Sequence, residues 1–201
     1  MSFDYSNQLK AVFGKNAEVY AEKFADQSAF QESIDFFCAH IKSNPIVLEL
    51  GCGPGNLSAY ILDKVNPASF TGLDVAPEMI ELFQKRFPTH NAVVGDINSF
   101  SFEHPLDAII AGFCVPYLSE FELRSLVKKM KNALTINGLC YWSWILGNNE
   151  SKTTKSSDGK HQLLMHYYSY EFMKSLFEGS GFEVLNYQEV GEDGVFIWQK
   201  S

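Results

Sequence analysis

Three glycines fall within one short stretch, Gly51-Cys52-Gly53-Pro54-Gly55, placed between an apolar run (Ile46-Val47-Leu48-Glu49-Leu50) and a repeat of apolar residues at helical spacing (Leu57, Tyr60, Ile61, Val65). The run is short and bounded by Pro45 and Gly51, as expected of a strand buried on both faces. The segment therefore predicts strand, glycine turn, helix. Glycine lets the backbone bend sharply and approach a ligand without a Cβ collision. The helix that follows offers unpaired N–H groups to an anionic group. In an open α/β sheet, a turn at the carboxyl ends of the strands is where ligands bind.

A second component lies about 20 residues on, where Gly72-Leu73-Asp74 closes the next strand-like segment. An acid at that distance can accept hydrogen bonds from two ribose hydroxyls. A glycine turn alone is also compatible with a plain strand–helix connection; the turn and the acid together point to a nucleoside or nucleotide ligand.

Strand-like and helix-like segments alternate from residue 45 onward. Further strands are expected over 69–73, 91–94, 106–113, 139–146 and 163–168. Pro77 suits a first helical position, with Ile80, Phe83 and Phe87 on one face. Ser119 and Glu122 have capping-box spacing, opening a helix with a basic end. Residues 148–160 are polar and unpatterned and predict an exposed loop, and a helix follows over about 169–178. Strands over 182–190 and 195–199 are separated by four residues, too few for a crossover helix, so they pair antiparallel. The expected fold is α/β, a doubly wound, mostly parallel sheet finished by one reversed strand. Residues 1–44 read as a helical cap of the same domain, with Ser28 and Gln31 at capping-box spacing and Phe30, Ile34, Phe37 and Ile41 on one face. Residues 45–201 form the cofactor-binding part.

Sixteen basic against 24 acidic residues give a net charge of −8, whereas a chain that grips phosphates normally carries a positive surplus. Nucleic acid and anionic membranes are thus not expected partners. The four cysteines have no zinc-knuckle or CxxC spacing, so free thiols and no metal are expected. The N-terminal stretch lacks the apolar run of a signal peptide, and no stretch approaches 18 apolar residues. A soluble, cytoplasmic protein is the expectation.

The pattern Glu49-Leu50-Gly51-Cys52-Gly53-Pro54-Gly55 resembles the first motif of the class I S-adenosylmethionine-dependent methyltransferases, in particular the small-molecule, type 11/12-like members. The resemblance continues in order through Gly72-Leu73-Asp74 with Ala76-Pro77-Glu78-Met79-Ile80, then Gly95-Asp96-Ile97, then 107–117, and finally Gly179-Ser180-Gly181-Phe182-Glu183-Val184. It covers about residues 45–199. It implies a seven-stranded sheet whose last strand is antiparallel, S-adenosyl-L-methionine as cofactor, and methyl transfer to a small-molecule acceptor.

Carried over residue by residue, Gly51, Gly53 and Gly55 shape the turn that holds the methionine part of the cofactor. Glu49 braces that turn by accepting backbone hydrogen bonds, or is simply a strand-end acid. Asp74 takes the ribose hydroxyls, Asp96 and the Ile97 N–H meet the adenine, and Gly112 and Phe113 line the site. Met79 either lies on the adenine or fills the core. Ala76 stands where the family often has a better helix-capping residue.

Methyl transfer needs alignment and exclusion of water more than a base. Tyr20, Tyr117 and His166 are the candidates for a base or orienting group, each also readable as packing. The segment Gly112-Phe113-Cys114-Val115-Pro116-Tyr117 keeps only Pro and Tyr of the (N/D)PPY pattern, which argues against adenine-base or glutamine-amide acceptors. Aromatics at Phe3, Tyr5, Phe13, Tyr20, Phe24, Trp142, Trp144, Tyr167 and Tyr168 imply a small apolar or aromatic acceptor if several face the cavity. Two rival readings stand: a nicotinamide-dependent oxidoreductase, and a non-catalytic protein that binds the cofactor. The oligomeric state is not readable.

Overall fold

Adjacent strand residues point to opposite faces of a sheet, and here both faces are apolar. Val47, Ala108, Ile110, Tyr141 and Ile197 enter one core layer, while Leu48, Ile109, Cys140, Trp142 and Trp198 enter the other. A sheet with two greasy faces must be covered on both. In the computed structural model, which describes residues 2–102, 105–156 and 159–201, helices do this.

The strands are β1 (Ile46–Leu50), β2 (Ser69–Asp74), β3 (Asn91–Val94), β4 (Leu106–Ala111), β5 (Leu134–Ile145), β8 (Phe182–Val190) and β9 (Asp193–Lys200), with β6 (Glu150–Lys155) and β7 (Gln162–Tyr167) outside this sheet. They lie in the order β3-β2-β1-β4-β5-β9-β8. Every pairing is parallel except those of β9, which runs antiparallel to β5 and to β8. The expected seven-stranded sheet with one reversed strand is the one observed. Helices α3 (Gln31–His40), α4 (Asn56–Leu62) and α5 (Pro77–Arg86) cover one face through Ile34, Phe37, Leu57, Ile61 and Phe83. The other face is covered by α6 (Glu120–Ala133) and α7 (Tyr170–Glu178) through Leu126, Met130, Met173 and Phe177. Trp142 and Trp198 close on Phe177 at ring separations of 5.0 and 4.6 Å. The chain runs outward from β1 to β3 and then returns to β4, so the winding reverses between β1 and β4. Such a reversal leaves a crevice at the carboxyl ends of those strands.

Several boundaries differ from the sequence expectation. Strand β4 ends at Ala111 and β5 begins at Leu134, directly after α6. The stretch expected to be a loop contains β6 (Glu150–Lys155), paired antiparallel with β7 (Gln162–Tyr167) in a separate hairpin; its residues 157 and 158 lie outside the described residues. β6 shows no alternation because nearly all of it is exposed on both faces. The Ser119–Glu122 capping box forms in full. The Ser28–Gln31 box does not: Ser28 opens a 3₁₀ turn, Phe30 precedes α3, and no side chain caps that helix. Of residues 1–44, α1 (Ser2–Lys15) and α2 (Ala17–Lys23) approach the crevice, whereas α3 belongs to a core layer. Among the described residues no helix is long and apolar enough to cross a membrane.

Candidate active site

The turn after β1 is built on left-handed backbone. Gly51, Gly53 and Gly55 have φ of 64, 54 and 82°, a region that side chains with a Cβ enter at a cost. At Gly51 the space is also closed, because a Cβ would sit 2.6 Å from the Cβ of Cys114. At Gly53 it is open, the nearest atom being a Tyr20 ring carbon at 3.9 Å. Bare backbone thus faces the crevice there. Asn56 ties the turn to the end of α2, its side-chain amide donating to the carbonyls of Phe24 (2.9 Å) and Ala21 (3.2 Å). Arg86 donates to the Gly55 carbonyl at 3.2 Å from the other side.

Asp74, at the end of β2, accepts from the Gly53 N–H and from the Ala76 N–H, each at 2.9 Å. Burial raises its carboxyl above the usual range, and the backbone N–H groups of Ala76, Gly53 and Val75 pull the other way. One carboxylate presents about four acceptor positions, so Asp74 keeps capacity for a ligand's hydroxyls. Asp96 accepts from the Asn98 N–H at 2.8 Å, which shapes the turn carrying Ile97. Glu49 behaves differently from the brace expected of it. Its carboxyl accepts from the Ser58 hydroxyl on α4, and burial lifts it to about 8.

A cavity of about 830 Å³, counting its open mouth, lies over the crevice. One wall consists of Gly51, Gly53, Asp74, Val75, Met79, Asp96, Ile97 and Gly112. The rest of the lining is Tyr5, Ser6, Leu9, Phe13 and Tyr20 from α1 and α2, Asn98, and Phe113, Cys114, Tyr117, Leu118 and Glu122 beyond β4. Phe13 joins the aromatic part of this lining, packing edge-on against Tyr117 at 5.3 Å and Tyr20 at 6.0 Å. The hydroxyl of Tyr5 donates to the Leu164 carbonyl and the Gln8 amide to the Gln162 carbonyl at 2.5 Å, so α1 is fastened to β7 over the opening. Phe113 has a φ of 63°, unusual for a residue with a side chain, and its N–H is fixed by Ser143 Oγ at 2.9 Å.

The structure brings Gly51, Gly53, Asp74, Met79, Asp96, Ile97, Gly112, Phe113, Tyr20 and Tyr117 to one cavity. It does not bring Glu49, Gly55 or His166 there. Gly55 instead begins α4, where a Cβ would strike the Phe87 ring at 2.5 Å. His166 sits on β7, bonded to Ser151 at 2.7 Å and stacked on Tyr168. Burial lowers its imidazole below the usual range, against the pull of Glu122. Burial drives the Tyr20 hydroxyl far above its ordinary value and that of Tyr117 to about 12. Trp142 and Trp144 are core residues and do not face the cavity; the Phe3 side chain lies outside the described residues.

Sequence reasoning missed Ser6, Leu9, Val75, Asn98, Leu118 and Glu122 as lining residues. Glu122 was visible only as a helix cap. Val75 and Asn98 directly follow residues already singled out, and that adjacency is the signal that was available.

Residues 47–138 match the family described as "Methyltransferase domain". The trans-aconitate 2-methyltransferase of Enterobacter sp. strain 638 is 31% identical over 93 residues, which cover 46% of this chain and 36% of that protein. The malonyl-[acyl-carrier protein] O-methyltransferase of Priestia megaterium is 30% identical over 135 residues, 62% of this chain and 48% of that one. The chain thus spans less than half the length of these curated relatives. Among solved structures, Burkholderia thailandensis 1,6-didemethyltoxoflavin-N1-methyltransferase, bound to 1,6-didemethyltoxoflavin and S-adenosylhomocysteine, superposes with a TM-score of 0.79 at 17% identity. That match covers 100% of this chain and 91% of the other and shows a shared fold.

Proposed function

We propose that this chain is a class I S-adenosylmethionine-dependent methyltransferase that transfers a methyl group to a small organic acceptor, a reading supported by the family match over residues 47–138 and by the shared fold. One observation carries the reading: a bare left-handed glycine turn, a β2 carboxylate bonded to that turn, and the Asp96–Ile97 turn all border a single cavity. The residues fit the cofactor. Gly53 leaves room where a ligand must approach the backbone, and Asp74 has unused acceptor positions. Asp74 would hold the ribose hydroxyls, Asp96 and the Ile97 N–H the adenine, and Gly51 and Gly53 the methionine part. Met79 packs with Ala17, Ala76, Phe13 and Tyr20, which fits a shelf beneath the adenine. When bound, S-adenosylmethionine would supply an electrophilic methyl carbon carried on a sulfonium sulfur.

The chain's own part is to orient the acceptor and exclude water. Tyr20 and Tyr117 keep their protons near neutral pH, so they serve as hydrogen-bond donors that position the acceptor, and not as bases. The aromatic wall of Tyr5, Phe13, Tyr20 and Tyr117 favours an apolar or aromatic acceptor. The net charge of −8 disfavours nucleic acid. Four unbridged cysteines suit a reducing, cytoplasmic setting.

Calorimetric titration with S-adenosylhomocysteine tests binding, and incubation with methyl-labelled S-adenosylmethionine and a metabolite extract tests transfer. Both binding and a labelled organic product are expected. Stabilisation by NAD but not by S-adenosylhomocysteine overturns the reading in favour of an oxidoreductase. Tight binding with no labelled product favours a non-catalytic cofactor-binding protein.

A further inference from the structure

With Asp74 and Asp96 placed on the cofactor wall, Glu122 is the remaining carboxylate among the described residues that line the cavity, and no Lys, Arg or His is among them. Lys129 and Arg124 on the same helix are engaged elsewhere, and Lys128 is exposed. Lys129 donates to the carbonyls of Asn98 and Phe100, and Arg124 pairs with Glu120 at 2.8 Å.

Glu122 is held rigidly. Its Oε2 accepts from the N–H and the hydroxyl of Ser119 at 2.8 and 2.6 Å, and its Oε1 accepts from the Asn98 amide at 3.0 Å. Three of about four acceptor positions are filled, and the unfilled one is on Oε1. The side chain cannot swing away without opening the cap of α6. It therefore presents a fixed acceptor beside the aromatic wall formed by Tyr5, Phe13 and Tyr117.

We infer that Glu122 selects the acceptor, which carries an N–H donor on a small aromatic or heteroaromatic frame: an amine or ring N–H, and not a carboxylate. This rests on the methyltransferase reading above and sharpens it. An N–H aimed at Oε1 makes a charge-assisted hydrogen bond, roughly twice as strong as a neutral one. An anionic acceptor must leave water for a partly closed, apolar-walled site with a like charge and no described counter-charge, which costs affinity. The hydroxyl of Tyr5 adds no charge of either sign, since burial, Tyr117 and Glu122 together hold its proton in place and a protonated phenol is neutral.

The test uses the full chain saturated with S-adenosylhomocysteine and matched compounds that differ only in the head group and carry no ring N–H, such as 2-phenylethylamine and 3-phenylpropionate, titrated by calorimetry. The amine of each pair is expected to bind at least roughly tenfold more tightly, the size of one charge-assisted hydrogen bond. Glu122→Gln, which keeps a capping-box residue at that position, is expected to erase the preference and leave S-adenosylhomocysteine affinity within about twofold of wild type. Equal binding of amines and carboxylates by the wild-type chain overturns the inference whether or not the variant folds. So does a Glu122→Gln protein that keeps the preference, or failure of every compound to bind. Absence of S-adenosylhomocysteine binding by the wild type is a separate outcome, which removes the parent reading and this inference with it.

Discussion

Gly53 and Asp74, 21 positions apart, are joined by a 2.9 Å hydrogen bond from the amide of the first to the carboxylate of the second. The acid that would hold a ribose therefore also sets the shape of the glycine turn. Asp74→Ala is expected to weaken S-adenosylhomocysteine binding by about 1–3 kcal/mol, through loss of a charge-assisted acceptor and a loosened turn. Calorimetric titration of the folded variant checks this, and unchanged affinity would remove Asp74 from the binding site.

The first two glycines of the turn should fail in different ways. Gly51→Ala meets both a positive φ and a Cβ contact of 2.6 Å with Cys114, so it should cost about 2–5 kcal/mol of stability. Gly53→Ala has room for its methyl and should cost about 1–2 kcal/mol, while intruding on the cavity and impairing cofactor binding. Thermal unfolding and titration of the pair separate the two effects; equal melting temperatures would contradict the assignment.

Glu49 gives a pH signature. Burial raises its carboxyl from 4.5 to about 8 in the folded chain, so between those values the folded state binds the extra proton. Its contribution to stability is complete below about pH 4.5, falls as pH rises towards 8 and is gone above it, with a slope of at most about 1.4 kcal/mol per pH unit. Glu49→Gln keeps a neutral side chain beside Ser58 at every pH. Its stability relative to wild type should therefore climb from pH 5 to pH 8, as followed by urea unfolding across that range. A difference that is flat with pH would refute the proposed protonation.

The Tyr5 hydroxyl bonds the Leu164 carbonyl, and Gln8 bonds that of Gln162. Tyr5→Phe removes one of these fastenings, so amide hydrogen exchange in α1 and β7 should quicken. Global stability should fall by less than about 1 kcal/mol, the net worth of one exposed hydrogen bond. Unaltered exchange in both elements would show that the fastening does not hold them.

What could be read in advance was whatever is governed locally. The Gly51–Gly55 turn, the acid at Asp74 and the Ser119 cap are each set by backbone conformation or by neighbours a few residues away. The antiparallel end of the sheet followed from a turn too short for a helix. Chemistry brought together by tertiary packing was hidden: the capping spacing at Ser119 gives no hint that Glu122 also faces a cavity. The same spacing at Ser28 misled, because Phe30 and not Ser28 sits ahead of α3. β6 escaped notice because it leans on β7 alone, so its sequence carries no inward–outward alternation. His166 looked chemically apt, yet the hairpin that bears it turns it toward Ser151.

The reversed strand has a consequence for biosynthesis. β9 is translated after β8 yet sits between β5 and β8. A nascent chain that has not yet released Asp193–Lys200 from the ribosome leaves β5 with a bare edge and β8 with nothing to pair against. Trp198, packed on Phe177, arrives with that strand. Completion of the sheet must therefore wait until β9 has emerged, and a polypeptide still lacking it exposes the apolar surface that chaperones recognise.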